Sequence, residues 1–284
     1  MNASYATLIG AIELAPHLRD ADWVVFDCRA DLVDPAFGQR AYGSAHLPGA
    51  FFIDLETGLS GPKTGRNGRH PLPDPASLAA RLAACGVGNH SQVVAYDDAG
   101  GMFAARLWWM LRWLGHDRVA VLDGGLQAWM AAGLALDDEP PAARPATYTL
   151  ALRPDRVDAR YVHEHLGRPD MLLLDARSPD RFRGENEVLD PVGGHIPGAR
   201  NRFFRDNLDE RGCFKQASVL REEFAGLLGA HTPRQVVHQC GSGVTACMNL
   251  LAMEAAGLTG SRLYAGSWSE WCADPARPVA RGPA

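Results

Sequence analysis

The sequence lacks the patterns that mark several large classes of protein. It has no run of about eighteen apolar residues, so we expect no membrane span and no membrane partner. Lys and Arg number 28 against 33 Asp and Glu, a formal net charge of −5, which argues against a nucleic-acid partner. The N-terminal residues lack the basic region that opens a secretory signal peptide. These absences favour an ordinary soluble protein.

Cysteine pairs at metal-binding spacing are also missing. The six cysteines are scattered, and they are Cys28, Cys85, Cys213, Cys240, Cys247 and Cys272. No two of them form a Cys-x-x-Cys motif, so the spacing indicates neither a disulfide framework nor a zinc site. We expect no metal, no cofactor and a reducing, cytoplasmic environment.

Four short motifs occur twice along the chain, in the same order. They are DCRA at 27–30 and DARS at 175–178, HLPGA from His46 and HIPGA from His195, VVAYDD and VVHQCG, and the segments that end at Trp129 and Trp271. In this repeat Asp98 stands where Cys240 stands. With 284 residues, the repeat predicts two domains, 1–140 and 150–284, joined by the Pro- and Ala-rich stretch 137–147.

Strand-like runs alternate with helical patterns in both halves. The predicted strands are 23–26, 93–96, 119–122, 171–174, 235–238 and 262–264. Residues 104–113 are apolar on most faces and predict a buried helix, with Trp108 and Trp109 in the core. The alternation predicts an α/β fold with a parallel sheet flanked by helices in each half. Ligands of such folds bind at the carboxyl ends of strands.

One cysteine stands where a predicted strand turns into a predicted helix (246–256). It opens the loop Cys240-Gly241-Ser242-Gly243-Val244-Thr245. Glycines let a loop turn with its N–H groups pointing inward, and such a nest at a helix N-terminus favours negative charge. We expect a cysteine there to react as a thiolate nucleophile. The alternative is a buried, inert cysteine.

These motifs resemble those of the rhodanese-like sulfurtransferases in their tandem-domain form. Residues 42–50 (YGSAHLPGA) fit the family's N-terminal signature, and residues 264–271 (YAGSWSEW) fit its C-terminal signature. The Cys240 loop is similar to that of the 3-mercaptopyruvate sulfurtransferase branch. The resemblance implies two tandem rhodanese-like domains, of which only the second is catalytic, and Asp98 in place of a cysteine agrees with an inactive first domain.

The resemblance also implies the chemistry. A cysteine thiolate takes sulfur from a small-molecule donor, becomes a persulfide, and passes the sulfur to cyanide, a thiol or thioredoxin. The hydroxyls of Ser242 and Thr245 would hold the anionic sulfur together with backbone N–H groups of the loop residues Gly241, Gly243, Val244 and Thr245. Loop and N-cap hydrogen bonding is the alternative role of the Ser242 and Thr245 hydroxyls.

The loop contains no Lys or Arg, whereas the rhodaneses that use thiosulfate carry cations there. A neutral loop favours a donor with one carboxylate, 3-mercaptopyruvate, and thiosulfate is the alternative donor. In the mercaptopyruvate branch a serine, a histidine and an acid form a proton relay. Ser242, His70 and Glu56 match them, with Asp54 as a rival acid. Without the resemblance, His70 would be taken as a surface loop residue.

The family binds the donor carboxylate with two arginines that precede the second His-Ile-Pro-Gly motif. Arg181 matches the first of them, but the segment 184–194 contains no arginine to match the second. Three other arginines are candidates for that role, namely Arg183, Arg200 and Arg202.

Other reactive-looking residues are interpreted as structural. Arg29 in the first copy and Arg177 in the second each stand two residues after an aspartate, so we expect structural ion pairs. His46 and His195 also occur one in each copy, including the inactive one, and are therefore expected to be structural too. We expect Cys247 to be packed, with a redox role as the alternative.

Two competing functions belong to other classes. A Cys-x5-Arg phosphatase would need arginine where this chain has Ala246. A non-catalytic persulfide carrier or binding module is the second alternative.

Overall fold

The computed structural model describes residues 4–142 and 144–283, which form two compact units. The first unit comprises the residues up to Gly61 with Pro73–Arg153 and Glu210–Cys213, and the second comprises Pro62–Leu72, Pro154–Asp209 and the residues from Phe214 onward. The segment Pro62–Leu72, which we call the His70 segment, therefore packs with the second unit although it falls within the predicted first domain.

The first unit contains a parallel sheet of five strands. The strands are β1 (Leu8–Ile9), β2 (Trp23–Asp27), β3 (Phe51–Phe52), β4 (Gln92–Tyr96) and β5 (Val119–Leu122), in the order β1-β5-β4-β2-β3. The helices are α1 (Ala11–Leu14), α2 (Phe37–Ser44), α3 (Pro75–Ala84), α4 (Ala104–Trp113) and α5 (Gly125–Ala131), with a 3-10 turn at Ala15–His17.

The second unit repeats this sheet. Its strands are β6 (Arg156–Val157), β7 (Leu172–Asp175), β8 (Arg200–Asn201), β9 (Val236–Gln239) and β10 (Arg262–Tyr264), in the order β6-β10-β9-β7-β8. Its helices are α6 (Ala159–Glu164), α7 (Pro179–Arg183), α8 (Ala217–Leu228), α9 (Ala246–Ala255) and α10 (Ser267–Trp271), with 3-10 turns at Phe204–Asn207 and Pro233–Gln235. The two orders correspond strand for strand, which confirms the predicted α/β fold with two parallel sheets.

The central strands and the long helices form the core of each unit. Every residue of β2, β4 and β9 is buried, as expected for parallel strands covered on both faces. The predicted helix 104–113 is α4, and Trp108 and Trp109 are buried in it. No helix in the described parts of the chain has the length and apolar character that crossing a bilayer requires.

The residues interpreted as structural have structural contacts. Arg29 and Arg177 form buried ion pairs with Asp27 and Asp175, each with a shortest distance of 2.6 Å. In both copies the arginine backbone N–H also donates to the same carboxylate, at 2.9 Å. The rings of His46 and His195 contact backbone carbonyl oxygens at 2.8 and 2.9 Å. These contacts confirm the predicted ion pairs and agree with the expected structural role of the histidines.

Candidate active site

Cys240 lies at the carboxyl end of the central strand of the second unit. Strand β9 pairs with β7 on one side and with β10 on the other, and Cys240 follows it directly. The loop then runs to α9, which begins at Ala246. The sulfur is therefore presented where parallel α/β sheets bind their ligands, next to the N-terminus of a helix.

The backbone of Cys240 is held by the start of α10. Its N–H donates to Ser267 Oγ at 3.0 Å, and its carbonyl accepts the Trp268 N–H at 2.9 Å. The Ser269 N–H donates to the Gly241 carbonyl at 2.9 Å. Ser267 has φ +54°, a left-handed conformation that costs about 1–3 kcal/mol in a non-glycine residue. The C-terminal signature thus positions the cysteine, a role of Ser267 that the sequence analysis missed.

The Cys240 sulfur is almost fully enclosed and accepts a backbone hydrogen bond. The residue is 2% exposed, and the Gly243 N–H donates to Sγ at 3.1 Å. Gly243 has φ +76°, and a Cβ atom there would lie 2.2 Å from the Ala265 carbonyl oxygen. Only glycine fits this position, and its amide is the one that donates to the sulfur.

The corresponding loop of the first unit carries a carboxylate instead of a thiol. Asp27 pairs with Tyr96 and Asp175 pairs with Gln239, so the residue equivalent to Cys240 is Asp97. The expectation that Asp98 occupies the cysteine position is therefore wrong by one residue. The first loop is one residue longer, since α4 begins seven residues after Asp97 and α9 begins six after Cys240.

Asp97 uses the loop amides for its own carboxylate. Its oxygens accept N–H groups of four residues of the loop and the first turn of α4, at 2.7–2.8 Å, namely Ala99, Gly101, Phe103 and Ala104. The nest of donors is thus kept in the first unit but is filled by a side chain of the protein itself.

His70 and Ser242 are in direct contact within the second unit. His70 Nδ1 and Ser242 Oγ are 2.7 Å apart, and both residues are buried. The His70 segment is fixed at Gly68, which has φ +82° and no room for a Cβ atom, because one would lie 2.8 Å from the Gly266 carbonyl oxygen. The Arg69 N–H also donates to Ser269 Oγ at 3.0 Å. The alternative view of His70 as a surface residue does not fit this burial.

The two candidate acids lie in the first unit, after β3. Asp54 Oδ1 accepts the Thr57 N–H at 2.7 Å and the Thr57 hydroxyl at 2.9 Å, so this carboxylate stabilises a local turn. Glu56 is half-buried in the same turn. The turn therefore accounts for the Asp54 carboxylate.

Two arginine guanidiniums lie against Gly241, the residue after Cys240. A Cβ atom on Gly241 would lie 2.8 Å from Arg69 Nη2 and 3.4 Å from Arg181 Nη2. Glycine at this position therefore leaves room for both guanidiniums where they stand. Arg181 was expected near the loop. Arg69 was not, although it directly precedes His70 in the sequence.

The three other arginines considered as a second cation have different partners. Arg183 pairs with Glu185, Arg200 donates to the Leu227 carbonyl, and Arg202 donates to Asn207 and Glu223. Arg69 stands beside Arg181 in their place.

Two buried carboxylates hold the guanidiniums over Gly241. Arg69 donates through Nε and Nη2 to Asp190 at 2.9 and 3.1 Å, and Arg181 donates to Glu187 through the same two nitrogens at 3.1 and 2.8 Å. Burial raises the pKa of Asp190 although Arg69 opposes the shift. Burial also disfavours the Glu187 anion, but hydrogen bonds from Arg181 and from backbone N–H groups outweigh it and lower the pKa of Glu187.

The remaining loop residues have the following positions. Val244 is buried, and Thr245 is the N-cap residue of α9 but makes no capping hydrogen bond with its side chain. Cys247 is fully buried and its thiol donates to the Gly243 carbonyl at 3.5 Å, which favours a packing role. Among the described residues, no group of three or more His, Cys, Asp or Glu side chains could hold a metal ion.

The chain is similar to known proteins over most of its length. The family profile described as "Rhodanese-like domain" matches residues 11–132 and 158–274. A Pseudomonas aeruginosa protein named "Probable 3-mercaptopyruvate sulfurtransferase" is 52% identical over 284 residues, covering 98% of this chain and 99% of that protein. A second protein of that organism, named "Thiosulfate sulfurtransferase", is 33% identical, covering 94% of each chain.

A solved structure is also similar over most of the chain. The 3-mercaptopyruvate sulfurtransferase from Leishmania major superposes with a TM-score of 0.84 at 33% identity, covering 93% of this chain and 74% of that one. The chain therefore belongs to the rhodanese-like family, as a tandem-domain sulfurtransferase of its 3-mercaptopyruvate sulfurtransferase branch.

Proposed function

We propose that the enzyme takes sulfur from 3-mercaptopyruvate as a persulfide on Cys240 and passes it to a thiophilic acceptor. The main support for this proposal is the position of the Cys240 sulfur. Cys240 Sγ accepts the Gly243 N–H at 3.1 Å, in a loop whose Ser242 hydroxyl is 2.7 Å from His70 Nδ1. A thiol that is only packed requires neither an amide donor nor an adjacent serine–histidine pair.

The first half-reaction forms an S–S bond and breaks a C–S bond. The Cys240 thiolate attacks the thiol sulfur of the donor, and the electron pair of the broken bond goes to C3 of the donor as an enolate. The donor's thiol proton moves to C3, so the products are pyruvate and a Cys240 persulfide anion. Sulfur is oxidised to the sulfane level and C3 is reduced, and no external oxidant is needed.

The proton transfer is the step assigned to Ser242 and His70. Their short contact allows the hydroxyl to take the thiol proton from the donor and the imidazole to carry it toward C3. Glu56, which matches the acid of the family's relay, is proposed as the third member. Both relay partners are buried, which limits exchange of this proton with water.

The second half-reaction restores the thiolate. Cyanide attacks the outer sulfur and leaves as thiocyanate, or a thiol leaves as its persulfide, while the Cys240 thiolate departs. The amide of Gly243 stabilises negative charge on the cysteine both before and after transfer. Thiols and thioredoxin are proposed as natural acceptors, in a reducing cytoplasm that fits the six free cysteines.

Charge at the loop is the main argument for the donor. The loop itself has no cation, and the two guanidiniums over Gly241 are each paired with a buried carboxylate. This arrangement suits a single carboxylate better than the two charges of thiosulfate. Thiosulfate is kept as a second donor because the chain is also similar to a protein named as a thiosulfate sulfurtransferase.

A rate comparison tests the donor. Initial rates with 3-mercaptopyruvate and with thiosulfate are measured on one preparation, with cyanide as acceptor and thiocyanate as readout. We expect a higher kcat/KM for 3-mercaptopyruvate. A preference for thiosulfate would make thiosulfate:cyanide sulfurtransferase the better description.

A further inference from the structure

Two guanidiniums from distant parts of the chain meet beside the reactive cysteine. Arg69 belongs to the His70 segment and Arg181 to α7. The Nη2 atoms of both nevertheless lie within van der Waals contact distance of the Cβ position of Gly241, at 2.8 and 3.4 Å. Asp190 joins them, because its Oδ2 accepts from Arg69 Nη2 at 3.1 Å and from Arg181 Nη2 at 3.4 Å. The two cations are therefore parts of one cluster rather than separate surface charges.

The accessible part of this cluster is positive. The side chains of Arg69 and Arg181 are 27% and 19% exposed, whereas those of Asp190 and Glu187 are 2% and 3% exposed. The carboxylates use Nε and Nη2 of each arginine, and Nη1 takes no part in these ion pairs. A ligand that approaches the cysteine therefore meets guanidinium edges, with the balancing anions beneath them.

We infer that Arg69 is a specificity-determining residue that binds the donor carboxylate together with Arg181, and that Asp190 holds the two guanidiniums in position. The inference rests on the proposed function for the identity of the donor. A planar guanidinium suits a carboxylate because it offers paired N–H groups in a fixed geometry. Arg69 is adjacent to His70, so one short segment would supply both a relay residue and a donor-binding residue.

The test compares two donors that differ only in the carboxylate. Mercaptoacetone has a methyl group where 3-mercaptopyruvate has its carboxylate. For Arg69→Ala we expect kcat/KM with 3-mercaptopyruvate to fall about 10- to 150-fold, the range for one charge-assisted pair, and kcat/KM with mercaptoacetone to stay within about twofold. Arg69→Lys should be intermediate, since it keeps the charge but not the fork.

A matched control is available in the same unit. Arg183 also forms an ion pair, with Glu185, but on the surface. Arg183→Ala should leave both donors within about twofold of the wild type. If Arg69→Ala lowers kcat/KM equally for both donors, or for neither, then Arg69 does not recognise the carboxylate and the inference is overturned.

Binding of pyruvate separates this inference from the proposed function. Pyruvate carries the same carboxylate, and its Kd for Cys240→Ser can be measured by NMR titration without turnover. Addition of Arg69→Ala to Cys240→Ser should weaken pyruvate binding at least about tenfold. If the wild type proved inactive with 3-mercaptopyruvate, the proposed donor would fail, and an unchanged pyruvate Kd would overturn the role of Arg69 independently.

Discussion

Replacing Gly68 by alanine tests how the His70 segment positions the relay. Gly68 and Gly65 lie three residues apart in this segment, with φ values of +82° and +79°. Either alanine would pay roughly 1–2 kcal/mol for the left-handed conformation. The space around them differs, because a Cβ atom at Gly68 would lie 2.8 Å from the Gly266 carbonyl oxygen, whereas one at Gly65 would have no atom within 4 Å. Gly65→Ala is therefore a matched control for backbone strain.

The additional clash should displace the segment and with it His70. Overpacking against fixed atoms costs typically about 1–3 kcal/mol, and the 2.7 Å contact between His70 and Ser242 tolerates little movement. We expect Gly68→Ala to lower kcat with 3-mercaptopyruvate roughly 10- to 100-fold. That loss should not exceed the loss for His70→Ala, about 10²- to 10⁴-fold for a general acid–base group.

The assay is steady-state kinetics of wild type and of Gly65→Ala, Gly68→Ala and His70→Ala. Thermal unfolding checks that each variant is folded. Gly65→Ala should keep kcat within about threefold. Equal kcat values for Gly65→Ala and Gly68→Ala, in folded proteins, would refute the claim that the contact with Gly266 positions His70.

Three further predictions concern the surroundings of the site. Ser267→Ala should lower the free energy of unfolding by about 1–3 kcal/mol in urea titration, because the buried Cys240 N–H loses its acceptor, and an unchanged value would exclude that support. Cys85→Ser and Cys272→Ser should keep most of the activity. Burial raises the pKa of both thiols, that of Cys272 to about 11, so both are protonated at neutral pH. Loss of activity in a folded variant would mean that the nucleophile is misassigned. Burial lowers the pKa of His238 to about 3, so below about pH 6.5 the unfolded chain binds a proton that the native protein does not. The free energy of unfolding should therefore drop by about 2 kcal/mol between pH 7 and pH 5 for this group alone. Chemical denaturation of His238→Gln should show a drop that is smaller by that amount.

Local pattern was sufficient to predict the core elements. The residues of α4 and the strand at 119–122 were predicted with their observed bounds, because one is a long apolar segment and the other is rich in β-branched residues. The edge strands β1, β3, β6 and β8 were not predicted. Each has two residues, too few to show alternation, and each exists only through pairing with a neighbour that is distant in sequence.

Several residues of the candidate site were predicted from the sequence, but Arg69 and Asp97 were not. Cys240 and Ser242 could be found from the chemistry of their loop, and His70 only from the family resemblance. Arg69 could not, because its contact with Gly241 depends on tertiary packing of a segment far away in the sequence. The choice of Asp98 over Asp97 was wrong, since VVAYDD and VVHQCG aligned residue by residue set Asp97 opposite Cys240, as the strand register does.

Mass spectrometry of the enzyme after donor addition tests the central claim most directly. Wild-type enzyme is incubated with 3-mercaptopyruvate without an acceptor, and the peptide that contains Cys240 is analysed. We expect a gain of one sulfur atom on Cys240, release of one pyruvate per enzyme, loss of the added sulfur when cyanide is supplied, and no gain in Cys240→Ser. Sulfur on a different cysteine, or thiocyanate formation by Cys240→Ser at the wild-type rate, would contradict it.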